Sequence, residues 1–203
     1  SSYWEDVSSE NLNLEKLTKD INSEIVVIGG GYTGLLCGIN LMENYNLDVI
    51  LVEAGKIGWG ASSRNAGFNC LPPSKMSFKK MQSIYGVEET KKFFKNSVEG
   101  SNHTKDIIKE YNIECDVTGD SSYVVAHHKN KFEQIKEQAE VYKSEFGIET
   151  KIYSKEEFDE IGHGGTEQYG AFSYKPAFAI NPLKFVNGIA KYALSKKLKI
   201  FEH

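Results

Sequence analysis

The chain has 203 residues, 40% hydrophobic and 26% charged, which suits one or two globular domains with a sizeable core. A net charge of −4 at pH 7 leaves no basic surplus for nucleic acid or an anionic lipid surface. Cys37, Cys70 and Cys115 form no C-x-x-C and no zinc spacing, so they exclude a disulfide framework and indicate a reduced, cytoplasmic setting.

Residues 1–22 read as a polar N-terminal arm, and the opening SSYWEDVSSE has no apolar run of the signal-peptide kind. Glu24–Ile28 (EIVVI) reads as a buried parallel strand, Gly34–Asn44 as a helix, and Asp48–Val52 as a second buried strand ended by Glu53, together a βαβ unit. The longest apolar stretch, Ile25–Met42, carries five glycines with Tyr32, Thr33 and Asn40, so no membrane span is expected. Residues 55–75, rich in Gly, Ser and Asn and holding Pro72 and Pro73, read as a long loop of the functional kind.

Helices follow over Met76–Tyr85 and Val87–Tyr111, the second with Gly100 as a weak point. Ser122–Ala126 reads as a strand, Asn130–Phe146 as a helix stopped by Gly147, and Ile148–Tyr153 as a strand. Ser154 and Glu157 form a capping box that opens another helix, and Tyr169–Tyr174 reads as a strand. Asn181-Pro182 caps a helix running to about Lys196, and Leu198–Glu202 begins a last strand.

The chemistry concentrates near the first strand. Gly29, Gly31 and Gly34 fit G-x-G-x-x-G between a strand and a helix, where glycines allow a tight turn, a close approach to pyrophosphate and close helix packing. The helix N-terminus, with Tyr32 and Thr33, offers N–H groups to phosphate. Glu53 lies 24 residues after Gly29 and, beside Ala54, can accept hydrogen bonds from a ribose while repelling a 2′-phosphate. These features predict a dinucleotide site. A second glycine-rich loop, Gly58–Gly67, follows where a plain NAD domain would show another helix and strand, which favours an elongated cofactor such as FAD.

That loop holds Arg64, the only arginine among 24 basic residues. A planar, forked, permanent cation is not replaced by lysine without loss. The pyrophosphate, a flavin carbonyl and a backbone carbonyl of the loop are its candidate partners, and Ser62, Ser63 and Asn65 are further hydrogen-bonding groups. The metal reading is poor. His127 and His128 are adjacent on an expected strand and point to opposite faces, and His163 stands alone in a loop. Cys37 reads as core and Cys70 as a thiol near the loop end. The lysine- and glutamate-rich clusters around Phe78, Phe94 and Phe158 read as solvated helix faces.

The motifs VIGGGYTGL, LVEAGKIGWGAS and SRNAG resemble the FAD-dependent amine and amino-acid oxidoreductases of the D-amino-acid oxidase type, most nearly their γ-glutamylputrescine oxidoreductase-like members. The leading Ser2-Tyr3-Trp4, the loop from Gly60 and Ala61 through Asn65 to Gly67, Cys115-Asp116, Gly170–Phe172 and Asn181–Leu183 carry the likeness onward. Where relatives often have histidine and glycine before the proline at Pro182, this chain has Ala179, Ile180 and Asn181.

The resemblance implies FAD, a small-molecule amine or amino-acid substrate, and oxidation of a C–N bond to an imine that then hydrolyses. Members of the group are considerably longer. The expected fold is α/β: a Rossmann-like FAD-binding domain (23–75, resuming at 176–203) interrupted by an α+β substrate segment (76–175), with a missing C-terminal half expected to complete the site. A truncated, non-catalytic nucleotide-binding module and an NAD-dependent dehydrogenase stand beside this reading. No catalytic residue is assigned.

Overall fold

The computed structural model describes residues 2–8, 10–71, 76–162 and 164–203, so Pro72, Pro73 and His163 lie outside the described residues. The first half of the chain gives α1 (Tyr3–Val7), β1 (Ile25–Ile28), α2 (Tyr32–Tyr45), β2 (Val49–Glu53), α3 (Ala61–Arg64), β3 (Phe68–Asn69), α4 (Phe78–Tyr85) and α5 (Val87–Glu110). The second half gives β4 (Ser122–Val125), α6 (Lys129–Phe146), β5 (Glu149–Tyr153), α7 (Lys155–Ile161), β6 (Ala171–Lys175), β7 (Phe178–Ala179), α8 (Pro182–Ser195) and β8 (Lys199–Glu202). β3 and β7 make a two-stranded ladder.

The chain forms two compact units. One joins the chain up to Phe68 with Lys105–Val117 and Ala179–His203, and the other joins Asn69–Thr104 with Thr118–Phe178. Lys105–Val117 fall inside the stretch expected as a single substrate segment. They join the first unit because Ile113 fills the space over Gly188 of α8, where an added Cβ would stand 2.3 Å from Ile113. The Cys115 carbonyl also accepts the Asn181 N–H at 2.8 Å.

The first unit holds a parallel sheet in the order β1-β2-β8, with Val27 opposite Leu51 and Leu51 opposite Ile200. α2 and α8 bury Leu35, Ile39, Val186, Ile189 and Ala190. Gly38 leaves room for Leu198, which a Cβ there would meet at 3.0 Å. Asn181 caps α8 by accepting the Leu183 and Lys184 N–H groups at 3.1 Å each, and Pro182 occupies the first turn. Asn46 ends α2 in the left-handed region at φ 53°.

The second unit holds an antiparallel sheet in the order β4-β6-β5. Its core gathers Leu71, Phe94, Ile135, Ile148, Phe172 and Tyr174, with Phe94 stacked on Phe146 at 4.1 Å. Gly147 stops α6 at φ 64°, and Ser154 with Glu157 closes the expected capping box at α7.

Several expectations are corrected. β1 is half-exposed rather than buried: Val26 and Ile28 are 55% and 86% exposed, because α2 covers only the Val27 side and β1 is a terminal strand. Cys37 points to solvent, since α2 buries Leu35, Gly38 and Ile39 instead. His127 and His128 lie beyond β4, and His128 caps α6 by accepting the Asn130 N–H at 3.3 Å. Phe94 and Phe158 are core residues within otherwise charged helix faces. The arm contains α1 and the long loop contains α3, both too short to carry a periodic signal.

Candidate cofactor site

The βαβ turn is built by its glycines. Gly29 leaves β1 at φ +105°, and its N–H donates to the Val52 carbonyl at 2.8 Å. An added Cβ on Gly34 would stand 1.9 Å from the Gly29 carbonyl oxygen, so α2 sits against the turn only with glycine there. Gly31 caps α2 without a side chain. Gly30 lies outside the G-x-G-x-x-G register and is crowded by side chains, with the Ile57 Cδ1 methyl at 2.2 Å and Glu53 at 3.3 Å from an added Cβ.

Glu53, at the end of β2, faces this turn. One carboxylate oxygen accepts the Gly30 N–H at 2.7 Å and the other accepts the Gly55 N–H at 2.8 Å. An ionised carboxylate has about four acceptor positions, so capacity remains for a diol. Ser62 of α3 reaches the same place: its hydroxyl accepts the Tyr32 N–H at 3.2 Å, at the first turn of α2. Thr33 and Ala54 are exposed beside the turn, and an added Cβ on Gly60 would meet nothing within 4 Å. The structure thus brings Gly29, Gly31, Thr33, Gly34, Glu53, Ala54 and Ser62 around one open turn.

The other expected site residues have different surroundings. Tyr32 contributes its backbone N–H, but its side chain turns into the unit's interior. The hydroxyl donates to the Pro182 carbonyl at 3.2 Å, the ring lies 5.2 Å from Phe185, and burial pushes its pKa up to about 12. Ser63 is fully buried and donates to the Gly58 carbonyl within the loop. The Asn65 amide donates to the carbonyls of Ala61 and Ser62 and accepts the Gly67 N–H at 2.8 Å, closing α3. Gly67, at φ +76°, accepts the Ile180 N–H at 2.9 Å.

Arg64 is directed toward the N-terminal arm. It pairs with Glu5 at 3.5 Å and lies 5.1 Å from the Trp59 ring centre. Glu202 was missed by sequence reasoning. It is buried and accepts the Ile57 N–H at 2.6 Å, which fixes the start of the loop. Among the described residues no group of three His, Cys, Asp or Glu side chains is placed to hold a metal, and no helix is long and apolar enough to cross a membrane.

Residues 24–203 match the model of the FAD dependent oxidoreductase family. The chain belongs to that family. It is 31% identical to the γ-glutamylputrescine oxidoreductase of Escherichia coli (strain K12) over 144 residues, 70% of this chain and 33% of that protein. In structure it is similar to L-amino acid deaminase from Proteus myxofaciens (TM-score 0.69, 18% identity, 96% of this chain and 41% of that one). It is also similar to the FAD-bound L-α-glycerophosphate oxidase of Mycoplasma pneumoniae (TM-score 0.63, 20% identity, 90% of this chain and 45% of that one). The chain therefore spans between a third and a half of the length of these proteins.

Proposed function

We propose that this chain is the FAD-binding and substrate-domain portion of an enzyme that oxidises the C–N bond of an amine or amino acid to an imine, which water then hydrolyses. The observation that carries the reading is the turn itself. Glu53 is held toward Gly30, Ser62 reaches the first turn of α2, and among the described residues nothing lies within 4 Å of a Cβ added to Gly29 or Gly60. These residues fit the adenosine and pyrophosphate of FAD: the α2 N-terminus suits phosphate, and the spare acceptor positions of Glu53 suit a ribose diol. When bound, the flavin supplies the two-electron acceptor for the hydride equivalent leaving the carbon that bears the amine.

The named relatives support the substrate class, since one is a putrescine-derivative oxidoreductase and another an amino-acid deaminase. In this reading the unit that joins the chain up to Phe68 with Lys105–Val117 and Ala179–His203 is the FAD-binding domain, and the unit of Asn69–Thr104 and Thr118–Phe178 is the substrate segment. The remainder of an enzyme of the relatives' length completes the site and covers the exposed Val26 and Ile28.

The test is to identify by mass the ligand released from the purified protein, and then to mix the flavin-loaded protein anaerobically with amines, amino acids and glycerol phosphate. Bleaching by a nitrogen-bearing substrate supports the C–N assignment. Bleaching by glycerol phosphate alone overturns it. A loaded protein that bleaches with none of them supports a nucleotide-binding module without turnover.

A further inference from the structure

The N-terminal arm makes contacts that neither core packing nor cofactor binding explains. α1 has five residues and buries none of them, and Tyr3 and Val7 are 68% and 51% exposed. An isolated helix of that length is not stable in water, so its order comes from its contacts with the rest of the unit, α8 and specific bonds among them. Two of those bonds end on the Gly60–Gly67 loop. The Trp4 indole N–H donates to the Asn65 carbonyl at 2.8 Å, and Glu5 pairs with Arg64 at 3.5 Å.

Glu5 is shared. Its other carboxylate oxygen accepts the Ser2 N–H at 2.7 Å and closes the capping box of α1. Asn65 in turn bonds the carbonyls of Ala61 and Ser62, and the Ser62 hydroxyl accepts the Tyr32 N–H at the glycine turn. A continuous run of bonds thus leads from the arm to the turn. Further back the arm is fastened to the unit. Glu10 pairs with Lys191 of α8, the Glu10 carbonyl accepts Asn187 Nδ2 at 3.4 Å, and the Glu15 carbonyl accepts the Glu202 N–H at 3.0 Å.

We propose that the arm is a latch that sets the position of the Gly60–Gly67 loop, with Trp4 and Glu5 as positioning residues for the cofactor. Arg64 is the catch. Its guanidinium meets the Glu5 carboxylate while lying over Trp59, two duties that a lysine ammonium does not combine. This explains why the only arginine of the chain stands in this loop. The inference rests on the FAD reading for its consequence, and on the loop geometry alone for its existence.

The experiment follows amide hydrogen exchange of Ser63 and Gly67 in the ligand-free protein, together with FAD affinity and the urea unfolding midpoint. Trp4→Phe keeps an aromatic ring but removes the N–H, and Glu5→Gln removes the charge. Each is expected to speed loop exchange about fivefold, the factor one net hydrogen bond is worth, and to weaken FAD binding by a similar factor. The unfolding equilibrium should shift by no more than that same factor, and the β2 amides should speed up by no more than the loop amides do. The arm variant Lys19→Ala, at an exposed position, should change nothing. Glu5→Gln combined with Arg64→Ala should be no worse than either change alone, because the two residues share one interaction.

Unchanged loop exchange in both Trp4→Phe and Glu5→Gln overturns the latch, whether or not FAD binds. Faster exchange with unchanged FAD affinity overturns the positioning role. If the parent protein binds no FAD, the cofactor reading fails by itself and the loop exchange still decides the latch.

Discussion

At the scale of single residues, the glycines divide into those with room and those without. Gly34→Ala places a methyl 1.9 Å from the Gly29 carbonyl oxygen, a backbone atom that yields only if α2 shifts. We expect a cost of roughly 1–3 kcal/mol in urea unfolding, the range for overpacking. Gly60→Ala meets nothing within 4 Å at φ −85° and should stay within about 0.5 kcal/mol of the parent. Equal costs for the two would show that the turn is looser than its geometry. Tyr32→Phe should lose about 1 kcal/mol with the bond its hydroxyl donates to the Pro182 carbonyl, read in the same unfolding assay. Arg64→Lys should weaken FAD retention about threefold, through the lost guanidinium contact over Trp59, and more than Lys56→Ala does. Gel filtration followed by flavin absorbance measures the pair, and equal retention would remove the special role of Arg64.

At the scale of elements, α8 depends on its cap. Asn181→Ala removes an acceptor for two N–H groups and should lower Tm by about 3 °C, from a cap worth about 1 kcal/mol. The same corner is sensitive to pH. Hydrogen bonding from the Lys184 ammonium, with help from the Asn181 amide, holds the Asp116 carboxyl below its ordinary range. The stability it contributes is present above the ordinary carboxylate range and is lost as pH falls through the lowered value. A Tm-against-pH series should therefore fall less steeply in acid for Asp116→Asn than for the parent, and parallel curves would contradict this.

How far elements could be read from the residues follows the same physics. The βαβ turn, the capping box at Ser154 and the Asn181-Pro182 cap were legible, because each is local chemistry with a fixed spacing. β1 was misjudged because an apolar run records what a strand can bury and not whether a neighbour covers it; Ile28 is 86% exposed. Cys37 was misplaced because small helix residues such as Gly38 take the packed side of α2 and turn the thiol outward. Glu5 and Glu202 act across 59 and 145 residues of sequence, a separation that no periodicity reports.

At the scale of the whole molecule, β1 of the first unit's sheet leaves an apolar face toward solvent, whereas the parallel sheets of α/β folds are covered on both faces. In a protein of the relatives' full length, the Val26 and Ile28 amides should exchange much more slowly than in this chain. Equal exchange in both would mean that the added chain docks elsewhere.

The central claim is that the Gly29–Gly34 turn, Glu53 and Ser62 hold the adenosine and pyrophosphate half of FAD. It is tested most directly by titrating the folded protein with FAD, following flavin absorbance and tryptophan emission, and repeating the titration with ADP as competitor. The account predicts saturable binding that ADP displaces, weakened at least tenfold in Glu53→Ala, where charge-assisted bonds to the ribose are removed. A folded protein with no saturable FAD binding, or with binding that ADP and Glu53→Ala leave unchanged, would contradict it.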